Sequence, residues 1–390
     1  MNFKCKYRFH FKFLMVLFWT IVTNSACFQS NAQSFSKKTF TTDNGLSHNF
    51  VQHITQDKTG FLWISTWDGM NRFDGYEFRN YFHNPKDSTT VPFFVVDKAV
   101  VDASNNVWVM CQQRPVVIYN RNSDSFDRFK TNDFNELVIC DITLGTDSTV
   151  WMISRGNNEI YHYISDKKLL SSFKLMDENG KDRKIFSYHP QILIDNKGGI
   201  WIISIENQKY EVFKGEIIGE NAIQLRSMNF LPINVGSDYS NYKSLAMYDI
   251  NVNDSGQVFL FTKFGLFCYD TIAQRFVENI NTNFSGNFIG KPFYFCSDEK
   301  SGIHVIDTNQ KEFFSIKPEP GKFIENLFVD SQKTLWMADI TSNRENIGLN
   351  RYIKVPSYFT HYFTDKNEPD IKNILPSTLI SKSSDKWIAK

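Results

Sequence analysis

A tryptophan returns along this chain inside one small frame, and the period of that return restricts the fold more than any other feature. An acidic residue opens a turn and Trp follows six positions later: DKTGFLWIST from Asp57, DASNNVWVMC from Asp102, DNKGGIWIIS from Asp195 and DSQKTLWMAD from Asp330. DSTVWMIS from Asp147 is a shortened copy, DSGQVFLFT from Asp254 has Phe259 in place of Trp, and SKSSDKWIAK from Ser381 stands last. Counting one degenerate copy, the frames are spaced by about 46 residues, the period of a propeller blade. A unit of that size cannot bury its own apolar face, so the copies must stack.

Within a copy the elements are short and punctuated by turn residues, which argues strands throughout. The first reads VQHITQD from Val51, FLWIST from Phe61, MNRFD from Met70 and GYEFRNYF from Gly75, a four-stranded antiparallel meander. The second reads FFVVDKAVVD from Phe93, VWVMC from Val107, PVVIYN from Pro115 and SFDRF from Ser125. GLFCYDTIAQRF from Gly265 aligns with GIHVIDTNQKEF from Gly302, which recovers a sixth copy whose Trp is lost. Gly69-Met70-Asn71-Arg72-Phe73 is echoed by Gly348-Leu349-Asn350-Arg351-Tyr352 in the seventh. Trp-bearing runs such as VWMIS and IWIIS are apolar without alternation, so both faces should be covered, and radially packed blades cover both.

The expected fold is therefore all-β: a seven-bladed β-propeller of four-stranded antiparallel blades over residues 33–370. FSKKTFTT from Phe35 is a strand without a copy of its own and suits closure of the ring with the last blade. Residues 371–390 read as the start of a second propeller, so the expectation is a piece of a longer chain. Residues 1–32 read as a signal peptide: Lys4, Lys6, Arg8 and Lys12 precede the apolar run Phe13 to Val22, with Ser30 and Ala32 before a cut at Gln33. An alternative makes Cys27 a lipidation site. Lys plus Arg (43) against Asp plus Glu (42) leaves +1, which gives no reason to expect nucleic acid as a partner. Cys111, Cys140, Cys268 and Cys296 all lie in apolar runs, where Cys behaves as a small buried hydrophobe.

Gly45 to Phe78, GLSHNFVQHITQDKTGFLWISTWDGMNRFDGYEF, resembles the two-component-regulator propeller repeat, and the resemblance extends from about Phe35 to Lys390. It implies the periplasmic sensor region of a Bacteroidetes-type hybrid two-component histidine kinase. Such a protein carries paired propellers, a β-sandwich, a membrane helix, a kinase core, a receiver and a DNA-binding output. It also implies an oligosaccharide ligand, control of polysaccharide-utilisation genes, a homodimer in the full-length form and anchorage in the inner membrane. Kinase, receiver and DNA-binding parts are not among these 390 residues, so no enzyme activity is expected of this stretch.

No catalytic frame, metal-ligand spacing or cofactor fingerprint stands out among the eight histidines and the carboxylates. The repeated Asp residues suit turns, because Asp bonds its own backbone. The repeated Trp residues sit in strands and read as core. Ligand contacts are expected on the loop after each Trp strand and on the segments leading into each blade, which open on one face. That places Trp67, Asp68, His48, Asn49, Arg114, Arg155, Asn157 and Arg344 as candidate ligand-binding residues. Two other readings are an exported propeller enzyme acting on polysaccharide, a lyase or glycosidase, and a passive glycan-binding protein.

Overall fold

The structure is a computed structural model that describes residues 35–112, 114–130, 138–154, 159–185, 190–206, 209–228, 249–252, 256–262, 265–280, 293–298, 302–307, 312–316, 322–341, 346–354, 379–383 and 386–389. The expected signal peptide and Cys27 lie outside these residues. One unit spans Ser36–Ile353; a second comprises Met1–Phe35 with Lys354–Lys390, in which Leu379–Ser383 and Lys386–Ala389 pair antiparallel, Lys382 opposite Trp387.

Four-stranded sheets follow the sequence copies. Sheet 1 holds Val51–Gln56, Leu62–Thr66, Gly69–Phe73 and Phe78–Tyr81; sheet 2 holds Val96–Val101, Val107–Cys111, Val117–Asn120 and Ser125–Arg128. Sheet 3 holds Ile139–Leu144, Val150–Ser154, Glu159–Ile164 and Leu169–Met176; sheet 4 holds Gln191–Ile194, Ile200–Glu206, Lys209–Ile218 and Ala222–Ser227. Sheet 5 runs from Asp249–Val252 through Val258–Thr262 and Gly265–Asp270 to Arg275–Ile280. Phe293–Asp298, Gly302–Asp307 and Glu312–Ile316 form a three-stranded sheet. Lys322–Val329, Leu335–Thr341 and Asn346–Lys354 take Phe35–Phe40 as their fourth strand. Closure by the N-terminal strand is thus observed, as the unmatched FSKKTF run suggests.

The Trp strands lie second in their sheets, and those of sheets 1, 2 and 3 are buried at every position. Their apolar residues fill the interfaces between successive sheets. Trp63 and Met70 pack with Val96, Val107 and Tyr119 of sheet 2. Trp108 packs with Ile142, Val150 and Tyr161 of sheet 3, Trp151 with Ile192 and Ile200 of sheet 4, and Trp201 with Ile250 and Val258 of sheet 5. Trp336 of the sheet completed by Phe35–Phe40 packs with Val51, Leu62 and Phe73 of sheet 1, so the series returns on itself. First strands lie side by side from sheet 1 to sheet 5, and that of the last sheet lies against that of sheet 1. They form the hub.

The Asp of the frame does more than turn the chain. Oδ1 of Asp57 accepts the backbone N–H groups of Thr59 and Phe61 at 2.9 and 3.1 Å, while Oδ2 accepts the indole N–H of Trp63 at 3.0 Å. Asp102 with Trp108, Asp195 with Trp201 and Asp330 with Trp336 repeat the indole bond at 2.8, 2.8 and 2.9 Å. A fully buried indole N–H needs an acceptor, and six residues is the reach from the turn to the second position of the strand. In the shortened copy, Trp151 instead stacks on His162 across the strand pair, with centroids 4.1 Å apart.

The Gly69 and Gly348 echo has a common cause. Both have positive φ, and a Cβ on Gly69 would lie 2.4 Å from the Tyr81 carbonyl, one on Gly348 2.3 Å from the Phe40 carbonyl. Phe40 therefore stands where Tyr81 stands, which identifies the N-terminal strand as a substitute fourth strand. One feature departs from the expected separate blades: Leu169–Met176 pairs in parallel with Ala222–Ser227, joining sheets 3 and 4 into eight strands. The fourth strand of sheet 3 is eight residues long against four in sheets 1 and 2, and its longer unpaired edge has hydrogen-bonding groups to satisfy.

Candidate functional site

In an antiparallel meander the loops alternate ends. The Asp turns and the turns between third and fourth strands lie at one end. Arg121 there donates to Asp57 Oδ2 at 2.9 Å, and Ser165 donates to Asp102 of the preceding sheet. Burial pushes the Asp57 pKa up, but the hydrogen bonds from Thr59, Trp63 and Arg121 and the Arg121 charge outweigh it and hold the carboxyl below its ordinary value. That end is occupied by structural bonds.

At the other end, the loop after the Trp strand meets the segment leading into the first strand. In sheet 1 the Trp67 N–H donates to the Phe50 carbonyl at 3.2 Å, and the Trp67 ring stacks on buried Phe50 with centroids 4.5 Å apart and on His48 at 6.4 Å. Trp67 is nonetheless 45% exposed. An indole braced on one side and open on the other is a ready stacking surface. In sheet 2 the Gln112 N–H donates to the Val95 carbonyl in the same manner. The Gly69 N–H donates to the Phe94 carbonyl at 2.7 Å, which ties the two sheets together on this face. Phe94 is 48% exposed and packs on Phe93 at 4.0 Å, and the Arg114 guanidinium lies 5.0 Å from the Phe93 ring centroid.

Of the residues named from sequence, His48, Asn49, Trp67 and Asp68 come together at this end of sheet 1, and Arg114 lies on the same face of sheet 2. Asn49 Oδ1 accepts the Thr42 N–H at 2.9 Å, and His48 Nδ1 accepts the Phe50 N–H at 3.0 Å, so both are partly committed to holding the segment. Arg155, Asn157 and Arg344 lie outside the described residues. Phe94 was not legible as a site residue, because FFVVDKAVVD reads as one strand. The strand begins at Val96, which leaves Phe93 and Phe94 in the loop.

The hub carries a polar belt. In sheets 1, 2 and 3 the first strand is bulged, between Val51 and His53, Val96 and Lys98, and Ile139 and Asp141. A bulge turns the residues beside it. Lys98 Nζ lies 2.8 Å from Asp141 Oδ1, Asp141 Oδ2 accepts the Ile192 N–H of sheet 4 at 2.9 Å, and Asn326 donates to the Gln52 carbonyl. Burial and then the Lys98 charge lower the His53 pKa to about 3, so its imidazole is neutral at pH 7. At the bulge of sheet 2, burial raises the Asp97 carboxyl to about 7. Among the described residues no group of three His, Cys, Asp or Glu side chains could hold a metal, and Cys111 and Cys268 are free thiols.

Known proteins bear on this arrangement. The family profile described as two component regulator propeller matches residues 45–68. A stretch of 79 residues is 43% identical to histidine kinase P4 of Formosa agariphila, covering 20% of this chain and 6% of that protein. The extracellular domain of a hybrid two-component system from B. thetaiotaomicron superposes with a TM-score of 0.58 at 18% identity, over 83% of this chain and 42% of that one. Virginiamycin B lyase from Staphylococcus aureus gives 0.53 at 11% identity, over 83% of this chain and 99% of the lyase. The chain thus spans less than half the length of both the kinase and the sensor domain. At such identities the superpositions establish a shared fold and nothing of chemistry.

Proposed function

We propose that this chain, which carries the two-component regulator propeller repeat, is the exported ligand-sensing propeller of a hybrid two-component sensor, built of seven blades and binding an oligosaccharide on the face that presents Trp67. The observation that carries the reading is the asymmetry of the two faces. One end is closed by Asp, Arg and Ser bonds between sheets, and the other presents a braced, half-exposed indole beside Phe94 and Arg114. Flat aromatic surfaces with a few polar groups suit the mixed apolar and hydroxyl faces of sugars. The sensor reading is supported by the matched repeat and by the kinase and sensor-domain relatives.

Binding is the whole task proposed for these residues. A saccharide that contacts this face more favourably in one arrangement of the full-length receptor than in another shifts the balance between them. A periplasmic location, the inner-membrane anchor, a homodimer, a second propeller after residue 370 and control of polysaccharide-utilisation genes belong to the same proposal. Isothermal titration of the secreted chain against an oligosaccharide panel tests it. Binding by at least one member, weakened about tenfold or more by Trp67→Ala, is expected. Folded protein that binds no member would refute the ligand assignment.

A further inference from the structure

The way Arg114 is held narrows the class of ligand, an inference that rests on the saccharide-binding reading of the same face. Several described arginines are matched with acids. Arg72 and Arg79 approach Asp124, Arg121 pairs with Asp57 and Arg183 with Glu211. Arg114 is exposed and placed over Phe93, and among the described residues its guanidinium enters no ion pair. The ring contact leaves the guanidinium N–H groups without an acid partner among the described residues, and such a group takes a planar oxyanion through two parallel hydrogen bonds.

The neighbouring groups complete the case. Phe94, packed against Phe93, and Trp67, two residues before the Gly69 that bonds Phe94, are both about half exposed on this face. Asp68, beside Trp67, can accept ligand hydroxyls, while Arg114 supplies the face with a cation.

We propose that the Trp67 face takes an acidic saccharide, with Arg114 receiving its carboxylate or sulfate while the aromatic rings receive the sugar body. A uronic-acid oligosaccharide and a sulfated one offer the same oxyanion chemistry, and the test separates them. The secreted chain is titrated with uronic-acid oligomers, with the same oligomers after chemical reduction of every carboxyl to an alcohol, with sulfated oligomers and with neutral oligomers of matched length. The expected result is binding of one acidic series about tenfold or more tighter than its uncharged counterpart, weakening as salt is raised. Arg114→Gln is expected to remove that preference while keeping the weaker binding of neutral oligomers, and Trp67→Ala to weaken acidic and neutral ligands alike. Equal affinity for charged and uncharged series, unchanged by Arg114→Gln, overturns the acidic-ligand proposal and leaves saccharide binding standing. Absence of binding to all four series by folded protein overturns both.

Discussion

Replacing Asp57 with Ala tests whether the turn carboxylate holds the blade through its tryptophan. The substitution removes the acceptor of the Thr59 N–H and hydroxyl, the Phe61 N–H, the Trp63 indole N–H and the Arg121 guanidinium. Trp63 is 0% exposed, so its N–H is stranded without water, a cost of about 1–3 kcal/mol, and each of the two lost backbone turn bonds, from Thr59 and Phe61, adds about 1 kcal/mol, the exposed hydroxyl and guanidinium turning to water. A total of about 3–5 kcal/mol is expected. Asp87 is a built-in control, since it accepts the Thr89 N–H and hydroxyl at 2.9 and 2.6 Å in an exposed turn that serves no tryptophan. Asp87→Ala is expected to cost about 1 kcal/mol or less. Urea unfolding followed by tryptophan fluorescence supplies the midpoints, and Trp63→Phe in the Asp57→Ala background isolates the indole bond, because the second change removes the stranded N–H. Equal shifts for Asp57→Ala and Asp87→Ala would refute the reasoning. A loss in the double variant equal to the sum of the two single losses would refute the indole bond.

Other expectations follow from single observations. Gly69→Ala and Gly348→Ala drive a Cβ into a backbone carbonyl and are expected to lower the unfolding midpoint by more than Gly60→Ala, which also has positive φ but no atom within 4 Å of the added carbon; equal shifts would remove the steric argument. Asp97 titrates near 7 when folded against an ordinary 3.8, so its folded carboxyl takes up a proton that the unfolded chain releases. Stability from this group is full below the unfolded value and is lost as pH rises through the folded one, by about 4 kcal/mol at most. Asp97→Asn is expected to flatten the fall in stability between pH 4 and about 7, measured by urea unfolding across that range; an unchanged slope would show that Asp97 is ionised when folded. Lys98→Met leaves the partly buried Asp141 without its cation and is expected to destabilise the hub, whereas Lys98→Met combined with Asp141→Asn should recover part of the loss, read from the same unfolding midpoints.

Much of the architecture is legible in the sequence because the features that build a blade recur. Asp57, Asp102, Asp195 and Asp330 mark the turns, their tryptophans mark the second strands, and the unmatched run at Phe35 signals closure. What stays hidden is contact between copies. The turn reading accounts for the Oδ1 bonds of each Asp but not for the Oδ2 bond to Trp, which exists only once the indole is buried against the next sheet. Bulges in first strands leave no trace in composition, so the Lys98–Asp141 pair and the shielded His53 look like ordinary strand residues. Of the candidate site, Trp67 is legible because a large aromatic in a turn is unusual. Phe94 is not, since a phenylalanine pair before a run of valines reads as strand until pairing shows where the strand begins.

Hydrogen exchange of the chain with and without a bound oligosaccharide bears most directly on where the ligand sits. Slowed exchange is expected in residues 47–50, 66–69 and 93–95 and at 112 and 114, with no change in the Asp turns at 57–60 and 102–105. Protection confined to the Asp-turn end, with the Trp67 loop unchanged, would contradict the assignment of the binding face.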